Sequence, residues 1–285
     1  MKPFRWSIAK REQLGTLIEQ AGTVDPRADG VLREVRRASA RIIAFADDAN
    51  LAFIGRTPEN FFDYLSGVFE GIDDAPSLHL LQFSLRWAGP NGLSSIDPEK
   101  LDGFFAYLKE ECVDAATISS ADKPLALVDF IAYGGTMENF VSLLHMQAKR
   151  DGIDWNAVQR RLRIIGLRVQ THNSPNTWRW QQHQTWLDMI PDTKIKNVSA
   201  PASLLFHLAN DQPKVTYSFH PGRWGQDEEL RRTITEDQIK ALALAAGLYD
   251  AGKDRNERTR LAGLITSTPE MRQPATRRLA SRIKG

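Results

Sequence analysis

Short, near-continuous apolar runs alternate along this chain with segments of helical periodicity, and that alternation limits the possible folds more than any other feature. Strands that are apolar on both faces need cover on both sides, which an open parallel sheet between two helical layers provides. Residues 7–22 and 30–40 carry helical spacing with basic outer faces. The apolar runs 42–46 and 51–54 follow, separated by Asp47, Asp48 and Asn50, and predict two buried strands joined by a turn, or one strand with a bulge. Past Gly55-Arg56-Thr57, Pro58 stands where a first helical turn accepts proline, and Phe61, Phe62, Leu65, Val68 and Phe69 mark one helical face. Residues 77–87 read as a strand, 97–113 as a helix opening on Pro98, and 124–131 as the next strand. A helix from Thr136, with Met137, Phe140, Val141, Leu144 and Ala148 on one face, precedes a further helix and strand over 154–162 and 163–169. The predicted class is α/β, an open and mostly parallel sheet flanked by helices.

The 285 residues, 42% of them hydrophobic, suffice for one sizeable domain with an appendage. No apolar segment approaches the roughly 20 residues of a membrane helix, and the start lacks the apolar core of a signal peptide, so a cytoplasmic chain without membrane contact is expected. Cys112 is the only cysteine, which excludes an intrachain disulfide and a cysteine-built zinc site, and its apolar setting predicts burial. The six histidines are scattered without an i, i+4 pair, so no protein metal site is expected.

Three segments are expected: a helical stretch over 1–40, the α/β domain over 41–232 and a basic helical appendage over 233–285. Thr235 and Gln238 form a capping-box pattern, with Ile239, Leu242, Ala246 and Tyr249 on one face of the helix that follows. Residues 255–265 and those after Thr268-Pro269 read as two more helices. Residues 253–285 hold nine Lys and Arg against three acids, a net +6 that leaves the rest of the chain at −4. Such an appendage can pack on the sheet domain, pair two copies as a homodimer, or dock on a protein or nucleic acid through its charge. Trp178, Trp180 and Trp186 follow a Ser-Pro helix start and either wall a base pocket or anchor the core. Residues 215–226 read as a strand and a loop, with Arg223 near a ligand or in a surface turn.

Ligands of open α/β sheets sit at the carboxyl ends of the strands, where loops lead into helices. Two loops qualify. Tyr133-Gly134-Gly135-Thr136 places backbone amides and a hydroxyl at the positive end of a helix, a setting that suits phosphate, although the glycines can equally make a tight turn with Thr136 as its cap. Gly55-Arg56-Thr57 adds a guanidinium at a second helix start.

With Asp129 seven residues before Thr136, the stretch 125–136 resembles the binding motif of the type I phosphoribosyltransferases. In that family an apolar strand ends in two acids, then two apolar residues, two small or hydroxyl residues and a glycine-rich turn. Leu125 to Leu127 match the strand, Asp129 the second acid, Phe130 and Ile131 the apolar pair, and Gly134, Gly135 and Thr136 the turn. The resemblance implies that the turn clasps the 5-phosphate of phosphoribosyl pyrophosphate (PRPP), that Asp129 reaches the ribose hydroxyls, and that the loop of Gly55, Arg56 and Thr57 cradles the pyrophosphate. It covers about residues 40 to 175.

Three positions depart from the family pattern. Val128 stands where the first acid is usual, Ala132 where 6-oxopurine members carry an aspartate, and Tyr133 where a small hydroxyl residue is usual. The resemblance thus implies PRPP or a related phosphosugar or nucleotide as ligand, magnesium carried with it, and phosphoribosyl transfer with Asp129 and Arg56 as the catalytic pair. The alternative it leaves is a non-catalytic sensor or scaffold that meets a protein or nucleic acid through its basic tail.

Overall fold

A computed structural model describes residues 3–17, 19, 22, 24–27, 30–85, 92–170, 180–211, 213–226 and 235–285. Near the amino terminus, a 3-10 turn, Arg11–Gln13, stands within the helix expected over 7–22, and Gly15 at φ 51 breaks the helical path. The first long helix, α1 (Val31–Ala46), runs through residues 42–46, so the strand expected there is helix. Leu32, Val35, Ser39, Ile42, Ile43 and Ala46 continue one helical stripe, and Ala40 and Ala44 are buried as well. A helix covered on more than one side reads as a continuous apolar run, which periodicity cannot tell from a strand. Asp47 ends α1 at φ 56, and β1 (Asn50–Ile54) follows.

Pro58 caps α2 (Glu59–Phe69), and β2 (Leu78–Leu81) is shorter than the expected 77–87, of which 86 and 87 lie outside the described residues. Next come α3 (Pro98–Glu110), capped by Asp97, and α4 (Ala115–Ser120), capped by Asp114. Between them Cys112, at φ 56, is exposed and not buried as expected, because the turn that ends α3 points it outward. β3 (Leu125–Phe130), α5 (Gly135–Asp151), α6 (Trp155–Arg161) and β4 (Leu162–Val169) fall where the periodicity predicts them. β5 (Lys194–Ala200) and the short α7 (Ala202–Phe206) complete the sheet region, and α8 (Glu236–Lys253), α9 (Arg255–Thr266) and α10 (Pro274–Lys284) form the carboxyl-terminal segment.

All five strands are parallel, in the order β2-β1-β3-β4-β5. Side-chain alternation divides the core in two. Leu51, Phe53, Ala126, Val128, Ile165 and Leu167 face α1, α2 and the carboxyl-terminal helices, whereas Ala52, Ile54, Leu125, Leu127 and Ile164 face α3 to α6. Leu244, Leu248, Leu261, Ile265, Leu279 and Ile283 share the first cluster, so the basic tail is packed on the sheet domain. Several of its cations serve this packing. Arg258 donates to the carbonyls of Gly67, Glu70 and Gly252, and Arg282 to Asp73 O and the Asp74 carboxylate.

Residues 215–226 form no strand. Val215 and Thr216 give their amides to the carboxylate of Glu59, while Phe219 and Trp224 bury their rings among Phe104 and Tyr107. A segment whose amides are taken by a side chain has none left for a ladder. Among the described residues no helix is long and apolar enough to cross a membrane.

Candidate functional site

The strand order reverses direction between β1 and β3, since β2 lies on one side of β1 and the later strands on the other. Loops leaving the carboxyl ends of such a pair diverge and open a crevice. A cavity of about 510 Å³ occupies that position. Gly55, Arg56, Thr57, Asp129, Tyr133, Gly134, Gly135 and Thr136, the eight residues singled out from two separate stretches of sequence, all line it.

Each wall is built by local geometry. Gly134, at φ 94, is the N-cap of α5 and supplies no side-chain hydrogen bond, so the first-turn amides of this 17-residue helix have no side-chain cap. Thr136 lies inside the helix and not at its cap, and among the described residues its hydroxyl has no hydrogen-bond partner. Uncapped amides and a hydroxyl at the positive end of a helix constitute an anion-binding surface. Tyr133 projects beside it, 81% exposed.

Asp129, the penultimate residue of β3, is 5% exposed, and its Oδ1 accepts the Phe130 N–H at 2.7 Å. Burial pushes its carboxyl well above the usual carboxylate range, against the smaller opposing effect of that amide. Val128, where the family motif has its first acid, is fully buried in the helix-covered core on the opposite face. The pleat places only one of the two positions toward the crevice.

Sequence reasoning missed a further cation. Lys214 lines the same cavity and donates to the Leu208 carbonyl. Burial lowers its pKa below the usual lysine range, with Glu59 opposing and the Arg56 charge reinforcing the shift. No motif marks Lys214, because the segment that carries it is positioned by tertiary contacts alone. Ser84 and Ala209 also line the cavity without a sequence signal.

Other candidates lie elsewhere. Trp180 and Trp186 are core residues, their rings stacked at 6.2 Å, and the Trp180 indole N–H donates to Asn197 Oδ1. Trp178 and the Ser-Pro pair before it lie outside the described residues. Arg223 donates to Ser218 O and stands over the Tyr217 ring, away from the cavity wall. Among the described residues no three His, Cys, Asp or Glu side chains are placed to hold a metal ion. Comparison with protein-family models, curated proteins and solved structures gave no match.

Proposed function

We infer that the chain binds PRPP, or a closely related phosphosugar or nucleotide, in the crevice between the β1 and β3 loops. The observation that carries this reading is the convergence of Gly55, Arg56 and Thr57 with Asp129 and the Gly134-Gly135-Thr136 turn in one cavity at the reversal point of the sheet. The amides of the α5 first turn and the Thr136 hydroxyl would hold a 5-phosphate. Asp129 would accept from a ribose hydroxyl, and Arg56 would neutralise a leaving pyrophosphate as positive charge develops at the anomeric carbon. Transfer to an acceptor by this route needs no protein nucleophile. Magnesium would enter with the ligand's phosphates, since among the described residues Asp129 is the only carboxylate lining the cavity and a single one suits a cation that keeps most of its waters.

Binding without transfer is the second reading, and a specific observation favours it. Val128 is apolar and buried where a second sugar-binding acid would be needed, and Asp129 is itself nearly covered. Calorimetry with PRPP and magnesium, followed by a pyrophosphate-release assay over a panel of nucleobases, separates the two. Binding with release supports a phosphoribosyltransferase, and binding without release over the whole panel supports a sensor. Absence of binding would defeat both.

A further inference from the structure

β5 is an edge strand, paired with β4 alone among the described residues. The bond from the Gln170 N–H to the Ala200 carbonyl fixes its parity. In a parallel ladder alternate residues bond to the neighbour, so Lys194, Lys196, Val198 and Ala200 turn their main-chain groups toward β4, and Ile195, Asn197 and Ser199 turn theirs away from the sheet. These outward N–H and C=O groups have no hydrogen-bond partner among the described residues. Such an edge is a template for one more strand.

A groove runs beside that edge. The side chains of Lys194, Lys196, Val198 and Ala200 alternate onto the face of the sheet that α1 covers, where Val198 and Ala200 are buried and the two lysines are exposed. α1 crosses this face in the direction opposite to β5. A cavity of about 70 Å³ lies between Phe45 and the lysines, and one of about 650 Å³ lies between Arg37, Arg41 and the end of β5 at Ser199 and Ala200. Phe45 and Glu270 stand on the wall of both, so the two cavities follow one another along the strand.

The cations of the groove are unequally matched. Arg37 pairs with Glu34, and Arg163 with Asp48. Arg41 and Lys194 have neither a hydrogen bond nor an ion pair among the described residues, and Lys196 stands over the Phe45 ring at 5.5 Å without an acid partner. The acids on the walls are Glu34, already engaged, Asp47, which accepts from the Thr276 hydroxyl, and Glu270, midway along. Positive charge is therefore free at both ends of the groove and opposed in its middle.

This distribution selects the occupant. A second copy, pairing β5 against β5, would bring Lys194 and Lys196 of both copies together, and like charges oppose that. A nucleic-acid strand carries a charge at every step, and Glu270 stands where its backbone would pass. A peptide spaces its charges. We propose that the free edge of β5, with the groove beside α1, is a docking site for an extended acidic segment of a partner protein, added to the sheet as a further strand. Its main chain pairs with Ile195, Asn197 and Ser199, while carboxylates on alternate residues reach Lys194, Lys196 and Arg41. Among the described residues no side chain lines both this groove and the crevice of the β1 and β3 loops, so the site is independent of the phosphosugar reading.

Selection of a displayed random heptapeptide library on the immobilised full chain tests it, followed by fluorescence anisotropy with the enriched peptide and, separately, with an oligothymidylate. The enriched sequences carry more Asp and Glu than the starting library, and their affinity falls as salt rises. Lys194→Glu combined with Lys196→Glu weakens the peptide by about tenfold or more, and ribose 5-phosphate does not displace it. Ser199→Pro, which removes one outward N–H and no bond of the ladder, weakens it as well. On the wild-type chain the peptide slows hydrogen exchange of the Ile195, Asn197 and Ser199 amides, a readout independent of whether any variant folds. Absence of acidic enrichment, affinity unchanged by the charge reversal, or unslowed exchange at those amides overturns the proposal. Oligothymidylate binding that the charge reversal abolishes, with no peptide selected, overturns it in favour of a nucleic-acid surface.

Discussion

The indole of Trp180 backs Gly134 so closely that a β-carbon on that glycine would stand 3.3 Å from Trp180 Cε3. Gly134 also holds φ 94, a conformation that L side chains avoid. Its neighbour is different. Gly135 has no such φ, and a β-carbon there would meet nothing within 4 Å. The fold thus requires the first glycine and not the second, whose open space lies on the cavity wall where a phosphate would approach. Gly134→Ala is expected to lower stability by about 1–2 kcal/mol. Gly135→Val should change stability by less than about 0.5 kcal/mol while abolishing ribose 5-phosphate binding. Urea unfolding and calorimetry on the two variants check both statements, and undiminished binding by Gly135→Val would count against the phosphate turn.

A second glycine contact ties the carboxyl-terminal segment to the domain. A β-carbon on Gly67 in α2 would stand 2.0 Å from the Tyr249 carbonyl in α8, and one on Gly252 would stand 2.3 Å from the Tyr64 carbonyl. Backbone meets backbone here, so no side chain can move aside. Gly67→Ala is expected to cost about 2–3 kcal/mol through separation of the two helices. Faster hydrogen exchange throughout α8 than in the wild type would accompany the loss, whereas an unaltered denaturation midpoint would show that the helices slide past the added methyl.

The parallel sheet and both candidate loops were legible because each rests on local signals: apolar runs for β1, β3 and β4, and glycines at the start of α5. What the sequence concealed depends on partners distant in the chain. The apolar run 42–46 is helical because the sheet and the carboxyl-terminal helices bury α1 on more than one side. β5 escaped notice because its pattern is mixed, with Lys194, Lys196 and Ser199 exposed at the sheet edge. Residues 215–220 have strand-like composition, yet Glu59 takes the amides of Val215 and Thr216. Lys214 becomes a cavity residue only through that contact, and no local pattern encodes it.

Arg36, Tyr64 and Glu257 join α1, α2 and α9 at one buried point. Arg36 Nε donates to Glu257 Oε1 at 2.6 Å, Tyr64 donates to the same oxygen at 3.1 Å, and Glu257 is fully buried. Burial, reinforced by the Glu257 charge, raises the Tyr64 hydroxyl above its ordinary range, which keeps it a donor. Glu257→Ala would strand the Arg36 guanidinium and is expected to cost about 3–5 kcal/mol. The pair Arg36→Met with Glu257→Leu should recover most of that loss. A double variant no more stable than Glu257→Ala would mean that the network holds the helices in a way that apolar packing cannot replace.

Asp129 offers a test in which function and stability pull apart. Its buried carboxyl has a raised pKa, so the folded chain binds this proton more tightly than the unfolded chain does. The contribution is therefore most favourable below the unfolded value near 3.9, and stability declines as pH rises from there through the raised folded value. Asparagine keeps an oxygen for the Phe130 N–H and carries no charge at any pH. Asp129→Asn is accordingly expected to be more stable than the wild type at pH 7, by about 1 kcal/mol, and to lose that advantage below about pH 4. The same change should abolish or severely weaken PRPP binding, because the amide has a single acceptor oxygen, shared with the Phe130 N–H, where the carboxyl has two for the sugar hydroxyls. Urea unfolding of both proteins at pH 4 and pH 7, beside calorimetry with PRPP and magnesium, reads the two effects separately. A variant less stable than the wild type at pH 7 would identify Asp129 as an ionised structural group, and undiminished PRPP affinity would remove it from the ligand site.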